Sequence, residues 1–243
     1  MLKLSGCLAA AALSLVALAP STASAQTCGA IAGAALSIVE EGLLTGNGAP
    51  FFTSAFRFAY ELNTDDVRDI WGYGSPSSPI YYDYILGGVN FTHISTLVDT
   101  NSDGLADNVA PGDIVVIDDA TSPVYSGHTV VIVGDVKKLA VKQGPSNSFD
   151  QWMVAIADQT GSSHGCVTIG GTAYNDSRGC GAITAAPGTA YIRLYTDPST
   201  GVIEGYNWKA GSSTTSYYTQ AQRGVTVGRV APCPPVFSII PGS

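Results

Sequence analysis

Charge is scarce in this chain. Asp, Glu, Lys and Arg make up only 12% of its 243 residues, and 11 basic side chains face 19 acidic ones, a net charge of −8. Binding to nucleic acid or an anionic membrane needs clustered Lys and Arg, so this balance argues against both. Histidine is scarcer still: His93, His128 and His164 are the three present. Beyond residue 25 no apolar run approaches the roughly 20 residues that span a bilayer. Internal repeats are lacking, as are low-complexity segments after the N-terminal stretch.

That N-terminal stretch, residues 1–25, reads as a secretory signal. Lys3 is its charged start, residues 8–18 its apolar centre, and Ala23-Ser24-Ala25 the small-residue cleavage pattern. Cleavage there takes one Lys and no acid, leaving 10 basic against 19 acidic residues in about 218. This length suits one domain with a substantial core, expected over residues 26–231, with a Pro-rich tail over 232–243. The expectation is a monomer, secreted or periplasmic, that leaves the membrane once the signal is removed.

Cys7 departs with the signal, and Cys28, Cys166, Cys180 and Cys233 remain. An even count in an exported chain points to disulfides before reactive thiols. Four cysteines allow three connectivities. Cys166 and Cys180 bracket one Gly-rich loop and form the natural local pair, which would leave Cys28 and Cys233 to tie the domain's ends together.

Residues 28–44 are rich in Ala and Gly and predict a closely packed helix, with Thr27 as its candidate cap. Residues 46–50 read as a turn. A second helix is expected over 55–62, and a third from a Thr64 cap to about Trp71. Residues 79–86 fit helix or strand. Further strands are expected over 152–157, 189–196, 202–208 and 225–230. Helices followed by about six antiparallel strands make an α+β order.

The chain is organised around residues 111–135, PGDIVVIDDATSPVYSGHTVVIVGD. Two β-branched runs joined by a polar loop predict a buried antiparallel pair. His128 opens the second run and is the first place to look for chemistry; capping a strand edge is the plainer role.

Residues 99–108, DTNSDGLADN, space oxygen ligands at Asp99, Asn101, Asp103 and Asp107, with Gly104 for the sharp turn. Hard cations such as Ca²⁺ need oxygens converging from one short loop. The stretch resembles the calcium loops of dockerin and thrombospondin type 3 repeats. It lacks the Glu that closes an EF-hand, where Ala110 stands. An Asx-rich surface turn explains the same residues.

In order along the chain come PGDIVVI, GHTVVIVGD, ADQTGSSHG, YIRLYTD and EGYNW. This series resembles the NlpC-type papain-like hydrolases, cell-wall amidases and endopeptidases, over roughly residues 50–210. The resemblance implies a papain-like domain with N-terminal helices packed on the antiparallel sheet. It also implies a peptide or peptidoglycan-like substrate and no cofactor for catalysis. In that family a Cys at a helix start is the nucleophile, a His on the sheet is the base, and a polar residue on the next strand orients it. His128 matches the base and Asp158 the orienting group, while His164 belongs to the motif.

The nucleophile departs from the pattern. The family's helix start best matches Thr53-Ser54-Ala55-Phe56, which places Thr53 in the Cys slot, 75 residues before His128. A Thr hydroxyl is far less acidic than a thiol. Ser54 fits if the register shifts by one. Cys28 fits by its position at a helix start but lies 100 residues before His128. Two readings follow: a secreted hydrolase of peptide or amide bonds, or a catalytically inactive relative that keeps the cleft for binding.

Overall fold

A computed structural model describes residues 29–119, 122, 126–211 and 216–233. The signal segment, Thr27, Cys28 and most of the Pro-rich tail lie outside them. Among the described residues four helices come first, α1 (Gly29–Glu41), α2 (Ala49–Ala59), α3 (Thr64–Trp71) and α4 (Ser78–Gly87). They are followed by strands β1 (Phe91–Ile94), β2 (Ile114–Asp118), β3 (Gly127–Lys138), β4 (Asp150–Thr160), β5 (Val167–Ile169), β6 (Thr172–Tyr174), β7 (Ala186–Thr196), β8 (Ile203–Asn207), β9 (Tyr217–Thr219) and β10 (Gly224–Val230). Among the described residues, eight of these strands form one antiparallel sheet in the order β1-β10-β2-β3-β4-β7-β8-β9, and β5-β6 form a separate hairpin. The α+β class is as expected, but the sheet is larger than the six strands anticipated. β1, β9 and the small hairpin are three or four residues long and too short to show a period.

β2 and β3 pair antiparallel, with Ile117 opposite His128. Their unbroken apolar runs have a structural reason: both faces of the sheet are buried. Ile114, Val116 and Val131 face the helices, while Val115, Ile117, Val130 and Ile132 face a second core with Trp152, Ile156 and Leu194. The sheet curls to enclose that second core. The chain after β1 meets the start of β8, where Leu97 N–H donates to Gly201 O at 3.0 Å and Ile203 N–H to Ser95 O at 3.1 Å.

The helical layer packs aromatic rings on the other face: Phe52, Phe56, Trp71, Tyr81 and Phe91 form a continuous buried cluster. Local chemistry sets the helix ends. Asn63 caps α3, accepting from the amides of Asp65 and Asp66, while the Asp66 carboxylate accepts the Asn63 N–H at 2.7 Å. The expected cap, Thr64, is instead the first residue of the helix. Gly72, at φ 73°, ends it in the left-handed region that glycine favours.

α2 differs most from expectation. It begins at Ala49, six residues before the predicted Ala55, and Pro50 sits in its first turn. Proline is compatible with that position because the first helical amides have no intrahelical partner. Residues 46–50 are therefore only partly a turn, and Thr53 and Ser54 lie inside the helix.

Cys166 and Cys180 form a disulfide, as their spacing suggested. Cys233 is also disulfide-bonded, and its favoured partner, Cys28, lies outside the described residues.

Candidate functional site

His128 is placed by its neighbour. At Gly127, φ is 124°, and a Cβ there would collide with the Ile117 carbonyl oxygen, so only glycine lets β3 begin this close to β2. Strand alternation gives His128 the parity of Val130, and Asp158 on β4 that of Ile156, at the mouth of the enclosed core. His128 is 4% exposed and Asp158 fully buried. Nε2 of His128 lies 2.8 Å from Asp158 Oδ2. An ionised carboxylate only accepts, so Nε2 donates, and in the neutral ring the lone pair is the one on Nδ1.

Asp158 has further partners. Its Oδ2 also receives Nε2 of His164 at 3.1 Å, and its Oδ1 accepts from Arg178 Nη1 at 2.9 Å. Burial pushes the Asp158 pKa up, but His164 and His128 outweigh it and hold the carboxyl well below the usual range. Nδ1 of His164 lies 2.8 Å from the Trp208 carbonyl, another group that only accepts. Both ring nitrogens of His164 thus point at acceptors, and the indole of Trp208 lies 4.0 Å from its ring centre. Arg178 also grips Asp176, whose Oδ2 accepts the His164 N–H at 2.9 Å. Asp176 is held below its ordinary value too: burial opposes ionisation, and Arg178 overcomes it.

Nδ1 of His128 faces the start of α2. A Cβ on residue 48 would lie 2.8 Å from it, but residue 48 is glycine, at φ 66°. Gln159, next to Asp158, holds this loop in place. Its Oε1 accepts from the amides of Thr45 (2.8 Å) and Gly46 (3.2 Å), and its backbone carbonyl accepts from Gly48 N–H (3.1 Å). The position against the base is therefore built and oriented, and it carries no side chain.

The structure brings His128, Asp158 and His164 together; Thr53 and Ser54 lie elsewhere. Thr53 is a full turn inside α2, where its hydroxyl bonds Ala49 O at 3.0 Å and Tyr81 Oη at 2.8 Å. Ser54 lines a separate surface depression with Arg57, Phe58, Glu61 and Leu62. Placing the helix start at Ala55 brought them into the wrong register. Cys28 is outside the described residues. Sequence reasoning missed Gly48, Gln159, Asp176 and Arg178. The signals present were the N-G-A-P helix start and the Asp-Ser-Arg run inside the disulfide loop.

Residues 99–107 fold as nested Asx turns. Asp99 accepts the amides of Asp103 and Gly104, Asn101 that of Asp103, and Asp103 that of Leu105. Asp107 accepts both the amide and the hydroxyl of Thr100, which lowers its pKa. Among the described residues, no group of three or more His, Cys, Asp or Glu is placed to hold a metal.

Beside the dyad opens a cleft of about 720 Å³, lined by His128, Thr160, Ser162, Ile183, Trp208 and Tyr218, among others. Among the described residues no helix is long and apolar enough to cross a membrane. The chain matches no family model, and neither a curated protein nor a solved structure matches it significantly.

Proposed function

We propose that this chain is an exported, catalytically silent relative of the NlpC-type papain-like hydrolases, which uses the cleft beside His128 to bind peptide. The observation that carries the reading is Gly48. His128 and Asp158 form a base with its lone pair directed at a helix start, as covalent hydrolysis requires, but residue 48 offers no atom to activate. The series of motifs from 111 to 208 supports the scaffold, and the signal-like segment with the Cys166–Cys180 disulfide supports export. A buried base that meets no nucleophile among the described residues still has a structural use, since Asp158 joins β3, β4 and the 158–178 loop.

The hydrolase reading keeps one observation in its favour, the intact His128–Asp158 pair. A test separates the two. The native, unreduced protein is incubated with a peptide library, and products are read by mass spectrometry alongside calorimetric binding. Binding without cleavage is the expected result. Cleavage that disappears in His128→Ala would establish the hydrolase, and iodoacetamide labelling would then show whether a free thiol serves it.

A further inference from the structure

The cleft differs in charge from the chain around it. The protein carries 19 acidic against 11 basic residues, yet the cleft wall presents Lys209 and Arg223 and no carboxylate among the described residues. Residues 120–125 and 212–215, partly outside the described set, contain no acid either.

The two cations are held differently. Nε of Arg223 lies 2.8 Å from Asp119 Oδ2, and its guanidinium lies 3.8 Å over the Tyr218 ring, so it is neutralised and fixed as a flat plate. Lys209 is exposed and has no ion-pair partner among the described residues. It follows Trp208 directly, and its stem passes Gly165, where a Cβ would lie 3.9 Å from Cδ. Glu204, the nearest acid by sequence, makes no ion pair with Lys209, and Asp158 and Asp176 are committed to Arg178 and the histidines. Lys209 is thus left as one uncompensated positive charge beside an aromatic wall.

We infer that Lys209 selects a carboxylate on the peptide bound in the cleft, with Trp208 and Tyr218 flanking the adjoining residue. This rests on the peptide-binding reading and adds the charge of the ligand. A carboxylate against an ammonium forms a charge-assisted hydrogen bond, which a carboxamide cannot match.

Isothermal titration with three probes tests it: Ac-Ala-Phe-Ala-Ala with a free C-terminus, the same peptide as its carboxamide, and that carboxamide with Glu at its third position. The free acid or the Glu peptide, or both, should bind about tenfold tighter than the neutral carboxamide, and which one does so identifies a terminal or a side-chain carboxylate. The preference should shrink to about twofold or less in Lys209→Gln and weaken as salt rises. Lys209 is exposed, so the variant should keep the wild-type melting temperature, which reports its folding. Equal binding of all three peptides, or a preference unchanged in Lys209→Gln, overturns this inference and leaves peptide binding standing. Absence of binding by all three overturns both.

Discussion

Nδ1 of His128 faces Gly48, and a Cβ on residue 48 would come within 2.8 Å of it. The two residues lie 80 positions apart and meet because Gln159 fastens the loop before α2 to the end of β4. Gly48→Ala should therefore destabilise the fold twice over, through a left-handed φ of 66° and through contact with the imidazole. The expected loss is about 2 kcal/mol or more in chemical denaturation. Part of it should return in the double variant Gly48→Ala/His128→Ala, since the contact is then removed and the backbone strain remains. A Gly48→Ala protein as stable as wild type would contradict the geometry.

Asp158 binds two histidines and an arginine in a site without water access. Asp158→Asn leaves Arg178 and His164 facing a neutral amide, and stability should fall by about 3–5 kcal/mol. A milder and more specific readout is pH. The folded-state pKa of Asp158 is depressed, so its contribution is complete above about pH 5 and is lost progressively as pH falls. Wild-type melting temperature should decline through this acidic range, and Asp158→Asn should reduce the slope. Some slope remains, because Asp176 and Asp197 are also depressed, the latter to about 2.

The disulfide closes a 14-residue separation and ends one position before Gly181, which lines the cleft with Ala182 and Ile183. Replacing Cys166 and Cys180 together by Ala should cost about 3 kcal/mol. Hydrogen exchange of residues 181–183 should accelerate more than that of β3 and β4, because the cleft wall loses its covalent staple and the sheet does not. Uniform acceleration would mean the bond supports the whole domain equally.

The 99–107 loop turns its carboxylates onto its own amides. A chelator should therefore leave the melting temperature unchanged. A rise of several degrees on adding calcium would show that a cation reorganises those oxygens into ligands.

Thr53 and Ser54 offer a local check on the helix register. Thr53→Ala removes the bonds to Ala49 O and Tyr81 Oη in a buried site and should cost about 1–2 kcal/mol. Ser54→Ala should stay within about 0.5 kcal/mol, as expected for a partly exposed position away from His128.

Much of the frame was legible from the chain alone. The β2–β3 pair, His128 at its start, and the Cys166–Cys180 bridge each depend on residues close together in sequence. β-branched runs favour a pleated surface, and a short Cys spacing favours a local bond. The α+β order followed from the same local patterns. Where local signals conflicted, as at Pro50, the reading failed: proline suggested a turn and the protein uses it in a first helical turn.

Only the tertiary structure decided what stands against the base. Starting α2 six residues earlier turns the helix register by about 240° at 100° per residue, which carries Thr53 and Ser54 away from His128 and brings Gly48 to it. The grip of Arg178 on Asp158, across 20 residues, likewise depends on how the disulfide loop folds back on β4. Sequence patterns report which face of an element is buried. They do not report which loop reaches that face, because this depends on packing between distant parts of the chain.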